Sequence, residues 1–221
     1  ATYQAVVNSG KFQAVLKNTS LPSGLIHLSG SINYQNEPGK TLLASTTVHG
    51  KLQSDALTIA RPQAPLDIRD VNAKYALENC NAKVNAIHAR LLGGTLDANL
   101  TVKDLAGSSR SNLRATLKSI SASAIQAMLG PSARQYYSVN GTVNATADAA
   151  WGKSIDTLIA NAEIKLAADM KPAESTQTGK SVPLNGLIHP RYIASKEALP
   201  FPQSHLRTPP PTVSLGLYAG P

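Results

Sequence analysis

The sequence predicts an all-β fold, a long curved antiparallel sheet with one short helix near residues 122–129. Apolar and polar residues alternate with period two from one end of the chain to the other, which puts them on opposite faces of pleated strands. Turn-forming residues separate the alternating runs. Only 15% of the 221 residues are charged and 5% are aromatic, which argues against a coiled coil and against a charge-rich disordered chain.

Six alternating runs carry the strand prediction, each with one apolar and one polar face: 25–34, 42–52, 96–102, 139–147, 158–168 and 213–219. The turn residues of 36–39 predict a hairpin between 25–34 and 41–52. Ser54 and Asp55 predict a tight turn into 56–60.

The apolar parity shifts at three points within this pattern. It changes at Asp70, again between Ala86 and Ile87, and we expect a third change at Gly93-Gly94. A parity change inside a strand is what a β-bulge produces. A loose repeat, apolar-x-Gly-x-apolar, recurs around Gly30 and Gly50, and we interpret its glycines as bulges or curvature points.

Domain organisation follows from the same pattern. Residues 1–170 form a repeat-built sheet segment that contains the helix, with capping serines before it and Gly130-Pro131 after it. Residues 171–181 lack period and are rich in Pro, Ser, Thr and Gly, so we predict a flexible loop. Residues 182–221 continue the repeat, Pro-rich and irregular at 200–211.

The apolar face of such a sheet must be covered, and one short helix cannot do it. A closed barrel, a second sheet or a groove that a ligand fills would each provide a cover. Ten scattered aromatic residues do not form the girdles of an outer-membrane barrel. The small aliphatic residues suit a smooth apolar trough, but periodicity alone leaves sandwich and trough open.

Catalytic and nucleic-acid signals are absent from the sequence. The net charge is +8, yet the cations are spaced singly, without the interleaved aromatics of a nucleic-acid surface. Five histidines and one cysteine show no metal-ligand spacing, and no nucleophile motif is present. We therefore expect no enzymatic activity, no cofactor, no metal and no nucleic-acid partner.

The chain shows neither a signal peptide nor a spanning segment. It begins Ala1-Thr-Tyr-Gln, without an initiator Met or a basic start, and no run reaches roughly 18 apolar residues. We expect an interior piece of a longer protein, with any targeting signal outside it.

Two stretches carry a resemblance to a known family. Leu66-Asp-Ile-Arg-Asp-Val-Asn-Ala-x-Tyr75 and 84–98, which contains Gly93-Gly94-Thr-Leu96-Asp-Ala98, resemble the repeated strand units of the AsmA/TamB-like family. The segment 182–189, followed by 206–215, is similar to a further unit of that kind. The resemblance covers about residues 20–219. It implies a β-taco, a long curved sheet with an apolar inside.

The resemblance also implies a function. AsmA/TamB-like proteins are implicated in moving phospholipid between inner and outer membranes, and TamB members in outer-membrane protein assembly and secretion. We therefore expect a periplasmic, envelope-bound parent, anchored in the inner membrane outside this chain, whose partners are phospholipid acyl chains and membrane proteins. A structural or adhesive β-solenoid or sandwich of a secreted surface protein is the alternative. The expected lining residues of the lipid groove are Ile26, Leu28, Ile32, Leu42, Val48, Leu52, Leu96, Leu100, Val102, Val143, Leu158, Ile164 and Leu166.

Overall fold

The computed structural model describes residues 1–11, 22–36, 38–61, 64–129, 137–172, 181–193, 205–207 and 215–216. Within these residues the chain forms thirteen strands, the α-helix α1 (Ala122–Met128) and a 3₁₀ turn (Ile155–Thr157), and residues 10–11 are also helical. The strands are β1 (Thr2–Asn8), β2 (Ser23–Tyr34), β3 (Thr46–Ile59), β4 (Leu66–Glu78), β5 (Asn81–Leu91), β6 (Gly94–Lys103), β7 (Arg110–Ser121), β8 (Tyr137–Trp151), β9 (Ile159–Pro172), β10 (Val182–Ile188), β11 (Arg191–Ile193), β12 (His205–Arg207) and β13 (Leu215–Gly216).

All thirteen strands belong to one antiparallel sheet. From β1 to β10 each strand pairs with the next strand along the chain; β12 and β13 follow β10, and β11 pairs with β9. Short hairpin connections favour this arrangement, because antiparallel neighbours need only a tight turn between them. The two outer strands do not pair with each other, so the sheet is open. The predicted fold class, an all-β curved antiparallel sheet with one short helix, is confirmed.

The described part of the chain forms essentially one layer. Strands make their main contacts with their neighbours in the sheet, and α1 rests against β7 and β8. Within this part, eight apolar residues are buried and five of those are alanines, so no second sheet provides a core: Leu57, Leu66, Ala73, Ala89, Ala98, Ile120, Ala122 and Ala168.

The pairing register gathers the apolar residues on one side of the sheet. Residues directly opposite each other in an antiparallel pair point to the same face. Leu28 lies opposite Leu52, and Leu52 opposite Ala73. Further along the sheet, Leu100 lies opposite both Val84 and Leu113. We call the side that carries these residues the apolar face, and the opposite side the polar face.

Bulges with left-handed backbone keep this face continuous. Asp70 has a φ of 53° and Ala86 a φ of 51°, and each lies where the pairing of β4 with β5 or of β5 with β6 shifts register. Both parity changes predicted at these residues are confirmed. A third bulge, at Ser119 (φ 55°), was not expected. Beyond each bulge the next apolar residue returns to the apolar face.

Asparagine side chains from the adjacent strand stabilise two of these bulges. The Ala86 N–H donates to Asn99 Oδ1 at 3.0 Å, and the Ser119 N–H donates to Asn144 Oδ1 at 2.9 Å. A bulged residue loses its ladder partner, and an amide oxygen reaching across from the next strand replaces it. The same device therefore recurs on two different pairs of strands.

Two of the expected turns and bulges are wrong. Gly93-Gly94 is not a bulge: Leu91 pairs with Gly94, and Leu92 and Gly93 form a two-residue hairpin turn with φ values of 50° and 80°. Positive φ at both positions is what a type I′ hairpin requires, and glycine adopts it without steric cost.

Ser54 and Asp55 do not form a turn, because β3 continues through them to Ile59. The Ser54 hydroxyl is buried and donates to the carbonyl oxygens of Leu25, at 2.6 Å, and Ala56, at 3.2 Å. These bonds satisfy the backbone where the pairing of β2 with β3 shifts, so turn-prone residues here serve a bulge within the strand.

The predicted hairpin between 25–34 and 41–52 joins β2 and β3, but β3 begins at Thr46. The prediction that Leu42 lies on a strand is therefore wrong. Residues 42–45 form a turn in which the Ser45 N–H donates to Thr41 O at 3.0 Å and the Thr46 hydroxyl to Leu42 O at 2.7 Å. Hydroxyl side chains that bond the local backbone favour such a turn over a strand. Glu37 lies outside the described residues.

The later elements follow the prediction closely. Helix α1 begins after Ser121, whose hydroxyl accepts from the Ala124 N–H, as an N-cap does. Leu158, expected to start a strand, lies just before β9. Lys171 and Pro172, expected to lie in a loop, belong to β9 instead.

Two other regions predicted to be irregular cannot be compared in the same way. Residues 173–180 of the expected loop and most of the Pro-rich stretch 200–211 lie outside the described residues. The segment 182–188 forms β10 and extends the same sheet by pairing with β9.

Candidate functional site

Eleven of the thirteen expected lining residues lie within strands, on the apolar face. Two rows illustrate the arrangement: Ile32 lies opposite Val48, and Val143 lies opposite Leu166. The other two, Leu42 and Leu158, lie in the turn before β3 and at the residue before β9. The sheet therefore brings most of the set onto one continuous surface that runs from β2 to β9.

None of the thirteen residues is buried. Eleven are half-buried, Ile32 is 41% exposed and Leu42 is 73% exposed. A packed core residue of this kind would be covered on all sides. Contiguous apolar surface beyond a few hundred Å² is rare on soluble proteins and marks a site of interaction. The apolar face is therefore the principal candidate site.

A cavity of about 650 Å³ lies at one end of the apolar face. Ile32 and Tyr34 of β2 border it, together with Leu42 and Leu43 of the turn before β3 and Ala106 of the loop after β6. Almost all of this lining is apolar. The exposed Leu42 side chain thus contributes to the apolar surface from a turn, although not from a strand as expected.

The best-buried large apolar residues of this face are not among the thirteen expected lining residues. Leu57 and Leu66 are 7% and 8% exposed, and Ile120 is 3% exposed. Ile120 follows the bulge at Ser119, so simple alternation from Leu117 places it on the wrong face. Leu57 follows the bulge near Ser54 in the same way. A parity count restarted after each bulge would find both.

Two tyrosines cross the apolar face above a pair of glycines. In one row across four strands, Tyr3 lies opposite Gly30, Gly30 opposite Gly50, and Gly50 opposite Tyr75. The Tyr3 and Tyr75 hydroxyls share a hydrogen bond. The pairing passes through both glycines without a break, so neither is a bulge. A Cβ at Gly50 would lie 2.4 Å from Tyr75 Cζ, so glycine here makes room for the rings.

The environment of this pair changes the acidity of Tyr75. Burial, and then the hydrogen bond with Tyr3, raise the pKa of Tyr75 from 10.0 to about 12. Both causes act against the phenolate, because an anion is poorly solvated there and the neighbouring hydroxyl already interacts with the neutral form. Tyr75 therefore presents a neutral hydroxyl group on an otherwise apolar surface at physiological pH.

The polar face is organised differently, by ion pairs between adjacent strands. Arg114 Nε lies 2.9 Å from Asp148 Oδ1, and His88 Nδ1 lies 2.8 Å from Asp97 Oδ1. Lys118 Nζ approaches the other oxygen of Asp97 at 3.4 Å. The hydrogen bond with His88, followed by that with Lys118, lowers the pKa of Asp97. These charged groups are solvated partners of one another.

The described residues contain no cluster of three His, Cys, Asp or Glu side chains that could hold a metal ion. In the same part of the chain, no helix has the length and hydropathy needed to cross a membrane. Comparison of the chain with protein-family models, with curated proteins and with solved structures gave no match.

Proposed function

We propose that this chain is a segment of a periplasmic AsmA/TamB-like envelope protein that carries phospholipid between the inner and outer membranes. In this role it would support outer-membrane biogenesis, or protein assembly and secretion. The observation that carries the proposal is the uncovered apolar face, which continues from β1 to β10 through every bulge. The sequence resemblance to the strand units of that family supports the assignment.

The mechanism we propose is passive. Acyl chains lie against the apolar face, while the head group stays in water at an open edge of the sheet. Each methylene group that leaves water contributes about 0.8 kcal/mol, so contact area alone holds a lipid. Because rows of similar side chains follow one another, as Leu28 with Leu52 and Val143 with Leu166 do, a lipid can slide without losing contact. No residue needs to perform covalent chemistry.

The decisive experiment introduces a charge on the apolar face. Leu100→Asp and Ile164→Asp replace half-buried side chains in the middle of β6 and β9. The proposal expects both variants to remain folded, because no second layer packs on them, and to lose bound phospholipid. An unpaired carboxylate in the path of acyl chains costs several kcal/mol wherever water is excluded. Native mass spectrometry and transfer of a fluorescent phospholipid between vesicles measure the loss.

The matched control is Thr101→Asp, which changes the next residue of β6, on the polar face. Thr101 lies opposite Lys83 and Asn112, so a carboxylate is well placed there and lipid binding should persist. Equal lipid binding by Leu100→Asp and Thr101→Asp would refute the proposal. If Leu100→Asp unfolds the protein instead, a covered core and hence the structural or adhesive alternative are favoured.

A further inference from the structure

Three directly opposed pairs on the polar face set like charges side by side: Lys51 with Lys74, Arg69 with Arg90, and Lys103 with Arg110. Lys51 of β3 lies directly opposite Lys74 of β4. Like charges in directly opposed cross-strand positions are destabilising. In the other two pairs a carboxylate lies nearby. Arg90 Nη1 lies 3.3 Å from Asp70 Oδ2. Hydrogen bonds from Ser108, and more weakly the nearby charge of Arg110, lower the pKa of the Asp104 carboxyl. The lysine pair differs from these two, because no ion pair of the described residues involves Lys51 or Lys74.

No acidic side chain of the described chain compensates this pair. In the same row, Ser29 lies opposite Lys51, and Asn85 lies opposite Lys74. In the next row on one side, Gln53 and Asn72 bond to each other at 3.2 Å. On the other side, His49 Nε2 lies 2.9 Å from Glu78 Oε1. Two positive charges thus remain without a counter-charge.

The lysine pair lies at a cavity of about 610 Å³ on the polar face. Hydroxyl and amide side chains accompany the two ammonium groups around it, and the backbone of Gly30 and Gly50 contributes to its lining. Cavities of roughly 300–1,000 Å³ are typical of small-ligand sites. Tyr75 and Ala76 also border the cavity, and its polar-face residues with side chains that can donate hydrogen bonds are Thr2, Ser29, Ser31, His49, Lys51, Lys74 and Asn85.

We infer that this cavity, the lysine-pair site, binds a phosphate-type anion, a phosphate monoester or diester group. Two ammonium groups supply its counter-charge, and the neighbouring hydroxyl and amide groups donate to its oxygens. The bound anion would remove the repulsion between Lys51 and Lys74. The group can belong to a lipid head group or to a soluble phosphate compound, since the recognition chemistry is the same.

Titration with inorganic phosphate, followed by ³¹P line broadening and calorimetry, tests the site. We expect saturable binding that Lys51→Gln or Lys74→Gln weakens roughly tenfold, as expected for the loss of one hydrogen bond to a charged group. Lys165→Gln is the matched control, because Lys165 is also an exposed strand lysine but is paired with Glu163 at 3.0 Å. Equal weakening by the control variant would overturn the site.

Vesicles separate the two sources of the phosphate group. Vesicles of phosphatidylcholine, with and without phosphatidic acid, are sedimented with each variant. Binding that depends on phosphatidic acid and on Lys51 assigns a head group, and phosphate binding without vesicle binding assigns a soluble compound. Absence of both would overturn the inference.

A charge reversal gives a readout that a merely structural lysine pair would not give. Lys51→Glu creates an acidic partner for Lys74, so the variant should melt at a higher temperature than the wild type while losing phosphate binding. Retained phosphate binding in this folded variant would overturn the site. All of these substitutions lie on the polar face, so their outcome is independent of the proposed lipid function of the apolar face.

Discussion

On the polar face, charged side chains of neighbouring strands pair with one another, as Arg114 does with Asp148, and water completes their solvation. On the apolar face, rows such as Leu96, Leu117 and Ala145 place aliphatic side chains opposite one another across adjacent strands. The polar face is thus largely self-paired, with Lys51 and Lys74 as an exception, whereas no second sheet packs on the apolar face in the described part of the chain. The backbone hydrogen bonds between adjacent strands hold the sheet together, and they do not depend on either face. The apolar face therefore need not be covered for the strands to pair.

The largest effect should come from the few well-buried side chains of the apolar face. Ile120 is only 3% exposed and lies just before α1. Ile120→Ala should lower the free energy of unfolding by roughly 2–5 kcal/mol, because the neighbouring side chains cannot close the cavity. Lys118→Ala, two residues earlier on the polar face, should change stability by less than about 0.5 kcal/mol. Urea unfolding of both variants measures the difference. Similar costs would mean that the two faces do not differ in packing.

Next in size is the contact between Gly50 and Tyr75. Gly50→Ala places a methyl group 2.4 Å from Tyr75 Cζ and should cost roughly 1–3 kcal/mol, as overpacking does. In a double-mutant cycle with Tyr75→Ala, the two costs should add to more than the cost of the double variant, because the second change removes the clash with the ring and leaves the approach to Ser29 O at 2.7 Å. Strict additivity would show that Tyr75 does not lie over Gly50.

Substitution with glycine tests the backbone strain at the bulges that keep the two faces separate. Ala86→Gly should stabilise the protein by up to about 1 kcal/mol, because an alanine with a φ of 51° is strained and a glycine is not. Ala150→Gly, at an exposed position of β8 without positive φ, is the control and should destabilise by about 0.5–1 kcal/mol. Thermal unfolding compares them, and a loss of stability in both would contradict the bulge.

Much of this fold follows from the sequence because alternation is a local property. The period-two alternation predicted most of the strands, and the breaks in parity at Asp70 and Ala86 predicted two of the bulges. The bulge at Ser119 left no visible break, since α1 begins two residues after Ile120 and hides the change. Leu42 was misplaced because hydroxyl groups of Thr41 and Thr46 bond the local backbone, and such competition is invisible to a periodicity argument.

Contacts between distant strands could not be predicted in this way. Tyr3 and Tyr75 meet only because β1 to β4 pair in one particular register, and a single sequence does not specify register across four strands. Likewise, alternation put Lys51 and Lys74 on a polar face without showing that they are opposed. What the sequence does contain is the residue type at each position: glycines where rings need room, and asparagines beside the bulges.

Titration distinguishes the two faces further. On the apolar face, burial and Tyr3 raise the pKa of Tyr75 to about 12. Because the pKa of Tyr75 is higher in the folded state than in the unfolded state, the contribution of Tyr75 to stability is full below about pH 10 and is lost as the pH rises through about 12. Ultraviolet titration should show one tyrosine ionising late, and Tyr3→Phe should lower its pKa. An unchanged pKa in that variant would exclude the hydroxyl contact.

The smallest effect should come from Asp97 on the polar face, whose pKa shifts in the opposite direction. Hydrogen bonds with His88 and then Lys118 lower the pKa of Asp97, so its contribution to stability is present above the ordinary carboxyl pKa and is lost as the pH falls through the lowered one. His88→Ala should raise the pKa of Asp97 toward its ordinary value, and Lys118→Met should raise it less, because the His88 bond is the larger cause. Carbon-13 NMR of the carboxyl group measures both variants.

The Asp97 side chain is well exposed, so solvent screens these pairs and the unfolding free energy should hardly change. A larger rise in Lys118→Met than in His88→Ala would contradict this ranking of the two partners.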